Sequence, residues 1–72
     1  MSKKPNLTQW INGRVHPDIP GVYERQFVFG PCYSRWTGSQ WLTNESYVAV
    51  AAKEELVSDL QSLEWRGLAQ KP

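Results

Sequence analysis

Two side chains in this sequence could carry nucleophilic or metal chemistry, Cys32 and His16, and the chain holds one residue of each type. A thiol–imidazole couple needs the two within hydrogen-bond reach. His16 precedes Pro17 and Cys32 follows Pro31, each at a break in the chain, and nothing in their spacing brings them together. They read as a loop histidine and a small packing cysteine. A tetrahedral zinc site needs about four ligands of Cys, His or carboxylate type, so no metal and no other cofactor is expected. The single cysteine excludes a disulfide within the chain. Glu54, Glu55 and Asp59 fall on what reads as the solvated face of a helix. The expectation is a protein without enzymatic activity.

Binding is the better-supported chemistry. Arg14, Arg25, Arg35 and Arg66 interleave with Tyr23, Tyr33, Trp36 and Trp41. Trp, Tyr and Arg dominate the energetics of protein interfaces. The same pairing of rings and guanidinium groups binds single-stranded nucleic acid by stacking and phosphate contact. The candidate contact residues are Tyr23, Arg25, Tyr33, Arg35 and Trp36. A net charge of +1 is no electrostatic footprint for nucleic acid or an anionic membrane. A protein partner is therefore the first reading. A single-stranded nucleic-acid partner is the second, and a small structural or assembly component the third.

These residues need elements to hold them. Gly21 to Phe29 is rich in β-branched and aromatic residues and reads as a strand. Its period of two puts Tyr23, Arg25, Phe27 and Phe29 on one face. Gly30-Pro31 breaks it, Cys32 to Trp36 forms a second strand, Thr37-Gly38-Ser39 turns, and Gln40 to Thr43 makes a third. From Asn44 to Leu60 the chain reads as a helix, with Asn44 or Thr43 as cap. Val48, Ala52, Leu56 and Leu60 form its apolar stripe. Tyr47 to Ala51 also alternates and competes as a fourth strand. Trp36 or Trp41 is expected between sheet and helix, against that stripe.

The predicted fold class is therefore α+β: a three-stranded antiparallel β-meander packed on one C-terminal helix, followed by a Trp-containing tail. The single domain spans 6–69, with an irregular lead-in over 6–20, the meander over 21–43, the helix over 44–60 and the closing tail over 61–69. Residues 1–5 and 70–72 read as flexible ends. Asn12-Gly13 is a turn signal within the lead-in. Trp65 reads as a clasp over an edge of the core, with Gly67 permitting a bend and Arg66 free to pair with Glu24 or with a carbonyl at the helix end. Four Trp, three Tyr and two Phe supply the core volume that a chain of 72 residues otherwise lacks. No stretch reads as a transmembrane helix. The charged start from Met1 to Asn6 is followed by no apolar run, so no secretory signal is expected, and the single cysteine fits a reducing cytoplasm.

Four blocks together carry a resemblance: Trp10; Gly21-Val22-Tyr23-Glu24-Arg25; Tyr33-Ser34-Arg35-Trp36-Thr37-Gly38-Ser39-Gln40-Trp41; and Trp65-Arg66-Gly67-Leu68-Ala69. In this order they resemble small uncharacterised proteins of tailed bacteriophages and prophages, and the likeness covers nearly the whole chain. Thr37-Gly38 stands where those proteins are expected to carry Asp-Gly or Asn-Gly, and the helix reads longer. The hairpin from Tyr23 to Trp41 is also similar to a short Trp-rich module of bacterial membrane-associated proteins. What the phage resemblance implies is a setting: an accessory protein in the cytoplasm of the bacterial host, binding a host or phage protein such as a defence factor. It brings no catalytic residues.

Overall fold

The computed structural model describes residues 9–70. The predicted ends at 1–5 and 71–72 lie outside them. β1 (Gly21–Phe27) and β2 (Gly30–Trp36) form an antiparallel hairpin, in register from Gly21 opposite Trp36 to Phe27 opposite Gly30. The turn is thus Val28-Phe29, two residues earlier than Gly30-Pro31. Gly30, at φ 126°, takes a backbone conformation that L side chains rarely adopt, and it opens β2.

The third strand of the sheet is β3 (Trp65–Gln70), which pairs antiparallel with β1 and gives the order β2-β1-β3. The sequence places the third strand at Gln40 to Thr43 instead. That segment does fold back beside β2, but through single bridges, Trp36 with Trp41 and Tyr33 with Glu45. It carries too few regular pairs to make a strand. The tail expected to close over the core, and Gln70 expected at a flexible end, belong to the sheet. Arg66 pairs with Glu24, as its position in the sequence allows, with Nε donating to Oε1 at 2.9 Å. Between the pairs Glu24–Arg66 and Val22–Gln70 the register shifts. Gly67, at φ 69°, sits in the left-handed region at this bulge, where only glycine is free of steric cost.

The helix is the largest correction. The sequence predicts it over 44–60, whereas α1 spans Val48–Ala51. Its start is not capped by Asn44 or Thr43: Tyr47 precedes it in an extended conformation with no side-chain cap bond. Competition for backbone groups explains both ends. Glu45 exchanges two hydrogen bonds with Tyr33 on β2, so the chain is still extended there. Beyond α1, the Glu54 carboxylate accepts the N–H groups of Glu55 and Leu56. Thr43 N–H donates to the Leu56 carbonyl and Ser58 N–H to that of Trp41, which commits residues 56–58 to an extended pairing. A single helical turn is not stable alone, and α1 is held by its contact with β2. Leu56 and Leu60, half of the predicted stripe, are 69% and 50% exposed.

The aromatic core lies on the inner face of the sheet, and Val22 is buried on the other. Tyr23, Trp36, Trp41 and Trp65 form one buried cluster. Tyr23 meets the edges of Trp41 and Trp65 at 5.9 and 5.1 Å between ring centroids. Trp36 packs on Trp41 at 5.1 Å. The lead-in closes one end: Tyr23 Oη donates to the Ile19 carbonyl, Trp65 Nε1 to that of Val15, and Ile11 pairs with Trp65 through the backbone. The Asn12-Gly13 turn forms, with Val15 N–H on the Asn12 carbonyl and Arg14 N–H on Asn12 Oδ1. A Cβ at Gly13 would lie 1.8 Å from the Ser62 carbonyl oxygen, so this turn rests backbone to backbone on the segment that leads into β3.

Candidate functional site

Strand alternation divides the five candidate contact residues between two faces. Tyr23, Arg25 and Trp36 point inward and are buried, whereas Tyr33 and Arg35 lie on the outer face and are half-buried. The sheet therefore does not assemble them into one contact surface. Arg35 is engaged as well, with Nη2 donating to the Glu54 carbonyl at 2.6 Å.

Arg25 is unusual among them. It is fully buried, and its Nη2 donates to the Leu60 carbonyl at 2.6 Å. Its Cζ lies 4.5 Å from the centroid of the Trp41 ring and 5.4 Å from that of Phe27. A desolvated cation over an indole gains about 2 kcal/mol. Burial pushes the guanidinium down to about 10, which leaves it charged at neutral pH. Its bond to Leu60 also ties the segment between α1 and β3 to the sheet. Gln61 ties the same segment further on, accepting from Trp41 N–H and donating to the Trp41 and Ser58 carbonyls.

The outer face carries a second aromatic–arginine contact. Arg66 stands over the Trp10 ring at 4.2 Å while it pairs with Glu24. Trp10 is half-buried, so part of this ring is accessible.

A third feature lies at the tip of the β1–β2 hairpin. Val28 is 101% exposed and Phe29 68% exposed. Phe29 stacks on the buried Phe27, with centroids 5.3 Å apart and planes 7° from parallel. The positive φ at this tip falls on Gly30, just past the turn, and both apolar side chains of the turn face water. The sequence signal was present, an apolar pair before Gly30, but strand alternation absorbed Phe29 into the run from Gly21.

The groups considered for catalysis are dispersed. The His16 ring lies 4.8 Å from Trp36. Cys32 faces Arg25 at the other end of β2, roughly 13 Å along the strand from Trp36 at about 3.3 Å per residue. A cleft of about 440 Å³ brings Asp59 beside Thr43, Asn44, Val57, Ser58 and Leu60. The hydroxyls there are occupied, Thr43 Oγ1 donating to the Leu56 carbonyl and Ser58 Oγ to that of Leu60. Glu45 and Glu54 form a hydrogen-bonded carboxyl–carboxylate pair in solvent. That bond raises the Glu45 carboxyl and lowers the Glu54 one, which backbone N–H groups and Arg35 also stabilise as the anion. Among the described residues no three or more His, Cys, Asp or Glu side chains gather as metal ligands, and no helix is long and apolar enough to cross a membrane.

The chain matches no protein-family model, no curated protein and no solved structure.

Proposed function

We propose that this chain is a non-enzymatic protein-binding module anchored through Val28 and Phe29. The observation that carries this reading is the apolar pair exposed at the hairpin tip, Val28 and Phe29, in a small chain with little apolar surface to spare for its core. Departures from local rules without a folding benefit concentrate at functional positions. Phe29 is also presented in a fixed orientation by its stacking on Phe27, which lowers the ordering cost of binding. Trp10 with Arg66 would supply a flanking contact. The inward turn of Tyr23, Arg25 and Trp36 removes support from single-strand stacking on that face. The phage resemblance gives the reading its setting: an accessory protein in the bacterial cytoplasm, with a host or phage protein as partner.

The test compares the wild type with a Val28→Asn, Phe29→Gly double variant, which removes both apolar side chains from the tip. Both are immobilised and exposed to bacterial lysate. The variant should melt close to the wild-type temperature and lose the protein that the wild type retains. Equal retention of that protein by both would move the contact away from the tip. Capture of nucleic acid that falls steeply with added salt would replace the reading altogether.

A further inference from the structure

Asn12-Gly13 is the only asparagine–glycine step in the sequence, and the structure gives its glycine a reason other than turn geometry. Gly13 is buried and is not among the glycines with positive φ. What it needs is space. A Cβ there would lie 1.8 Å from the Ser62 carbonyl oxygen and 2.9 Å from the Leu63 carbonyl carbon. Asn12 beside it is exposed. Its Oδ1 accepts from Arg14 N–H at 2.8 Å, and its backbone carbonyl accepts from Val15 N–H at 3.0 Å. Close packing thus sets, next to an exposed side-chain amide, the residue type that shields its backbone nitrogen least.

That pairing has a chemistry of its own. The Gly13 amide nitrogen, once deprotonated, attacks the Asn12 Cγ. A C–N bond forms, Nδ2 leaves as ammonia, and a succinimide ring joins the two residues. Water then opens the ring at either carbonyl, giving aspartate or isoaspartate. The native turn opposes the first step. Closing the ring releases Oδ1 from Arg14 N–H and rotates the Asn12–Gly13 peptide, whose carbonyl Val15 N–H holds and whose glycine rests on Ser62. The step therefore needs the lead-in to open, and a modification made in an open state follows the population of that state. The two products differ in fit. Aspartate keeps an acceptor for Arg14 N–H. Isoaspartate routes the main chain through the side-chain methylene and lengthens it where one added carbon already meets backbone. The same turn carries clamps on that end of the core, Ile11 on Trp65 and Trp65 Nε1 on the Val15 carbonyl.

We propose that Asn12 is a deamidation site gated by the fold: ammonia is lost when the lead-in opens, and conversion to isoaspartate then prevents the native turn from re-forming. The intact chain is aged in one mildly alkaline buffer with and without urea. Ion exchange reads the added carboxylate, and tandem mass spectrometry places it on Asn12. Conversion should be at least about tenfold slower in the folded chain, the factor that an opening cost of about 1.4 kcal/mol sets. Chains aged in urea and returned to buffer should then divide in two. Those carrying aspartate should melt like an Asn12→Asp variant, close to the wild type. Those carrying isoaspartate, recognised by isoaspartyl methyltransferase labelling, should melt at a lower temperature. Equal rates with and without urea overturn the proposal, a comparison that needs no variant. So do isoaspartate chains that melt like the wild type, because the turn then accepts the longer backbone.

Discussion

At the end where Gly21 faces Trp36, the β1–β2 hairpin commits its side chains to the interior. Tyr23 and Trp36 join Trp41 and Trp65 there, and even Arg25 is drawn out of water. At the opposite end the same two strands carry Val28 and Phe29 into solvent. A chain of 72 residues has little apolar surface to spare for its core. The contrast therefore separates two demands on one element. The first end is shaped by folding, and the second departs from what folding alone would select.

The sharpest way to break this contrast is Trp41→Ala. Trp41 has no exposed surface and touches the other members of the cluster. Truncating a buried aromatic costs about 3–5 kcal/mol, enough to exhaust a marginal domain. Near-ultraviolet circular dichroism should show loss of fixed aromatic packing. A variant that melts like the wild type would mean that the inner face is not the core. Gly13→Ala comes next. Its added Cβ meets the Ser62 carbonyl backbone at 1.8 Å, and overpacking costs about 1–3 kcal/mol. Urea unfolding should show a lower midpoint, whereas an unchanged midpoint would refute the close approach of lead-in and crossover.

The outcome at Trp41 also marks how far the sequence could be read. The hairpin was legible, because alternation and chain reversal fix it locally; for the tail, the Trp and Leu of Trp65-Arg66-Gly67-Leu68 signalled a return to the core, and Glu24 was one of two partners open to Arg66. Alternation sorts a strand into two faces but does not say which face is inside, so Tyr23, Arg25 and Trp36 stood beside Tyr33 and Arg35 as candidates. The third strand was misplaced because the neighbour of β1 is chosen over a long separation, Arg25 opposite Trp65. The helix was overextended because Val48, Ala52, Leu56 and Leu60 satisfy a helical period that says nothing about competing acceptors.

A smaller effect appears in alkali. Burial, followed by the field of Asp18, raises the Tyr23 hydroxyl above its ordinary value near 10. The unfolded chain therefore ionises first, and this contribution to stability is complete below about pH 10 and falls as pH rises beyond it. Arg25, lowered to about 10, adds the opposite slope in the same range. The informative measurement is thus the difference between the wild type and Tyr23→Phe. The wild type should lose its advantage over that variant as pH passes about 10. A constant difference would mean that the Tyr23 hydroxyl is solvated. The outer ion pair contributes less: Glu24→Gln should cost at most about 1 kcal/mol, read from urea midpoints. A larger loss would make the Glu24–Arg66 pair part of the folding core. At the tip, the Val28→Asn, Phe29→Gly variant should change stability by no more than about 0.5 kcal/mol, a null effect that distinguishes contact residues from structural ones.

Gln61 has a consequence for how copies of this chain behave in company. Its amide Oε1 accepts from Trp41 N–H and its Nε2 donates to the Trp41 carbonyl, both at 2.8 Å. A side chain thereby imitates the peptide unit of an adjoining strand and occupies the groups through which another molecule would add to that edge. Unpaired edges are templates for aggregation and domain exchange. Such a stopper opposes edge-to-edge addition without a charged residue at that spot. Gln61→Ala would free the Trp41 N–H, while the Trp41 carbonyl keeps the Ser58 N–H, and its signature would be concentration-dependent self-association.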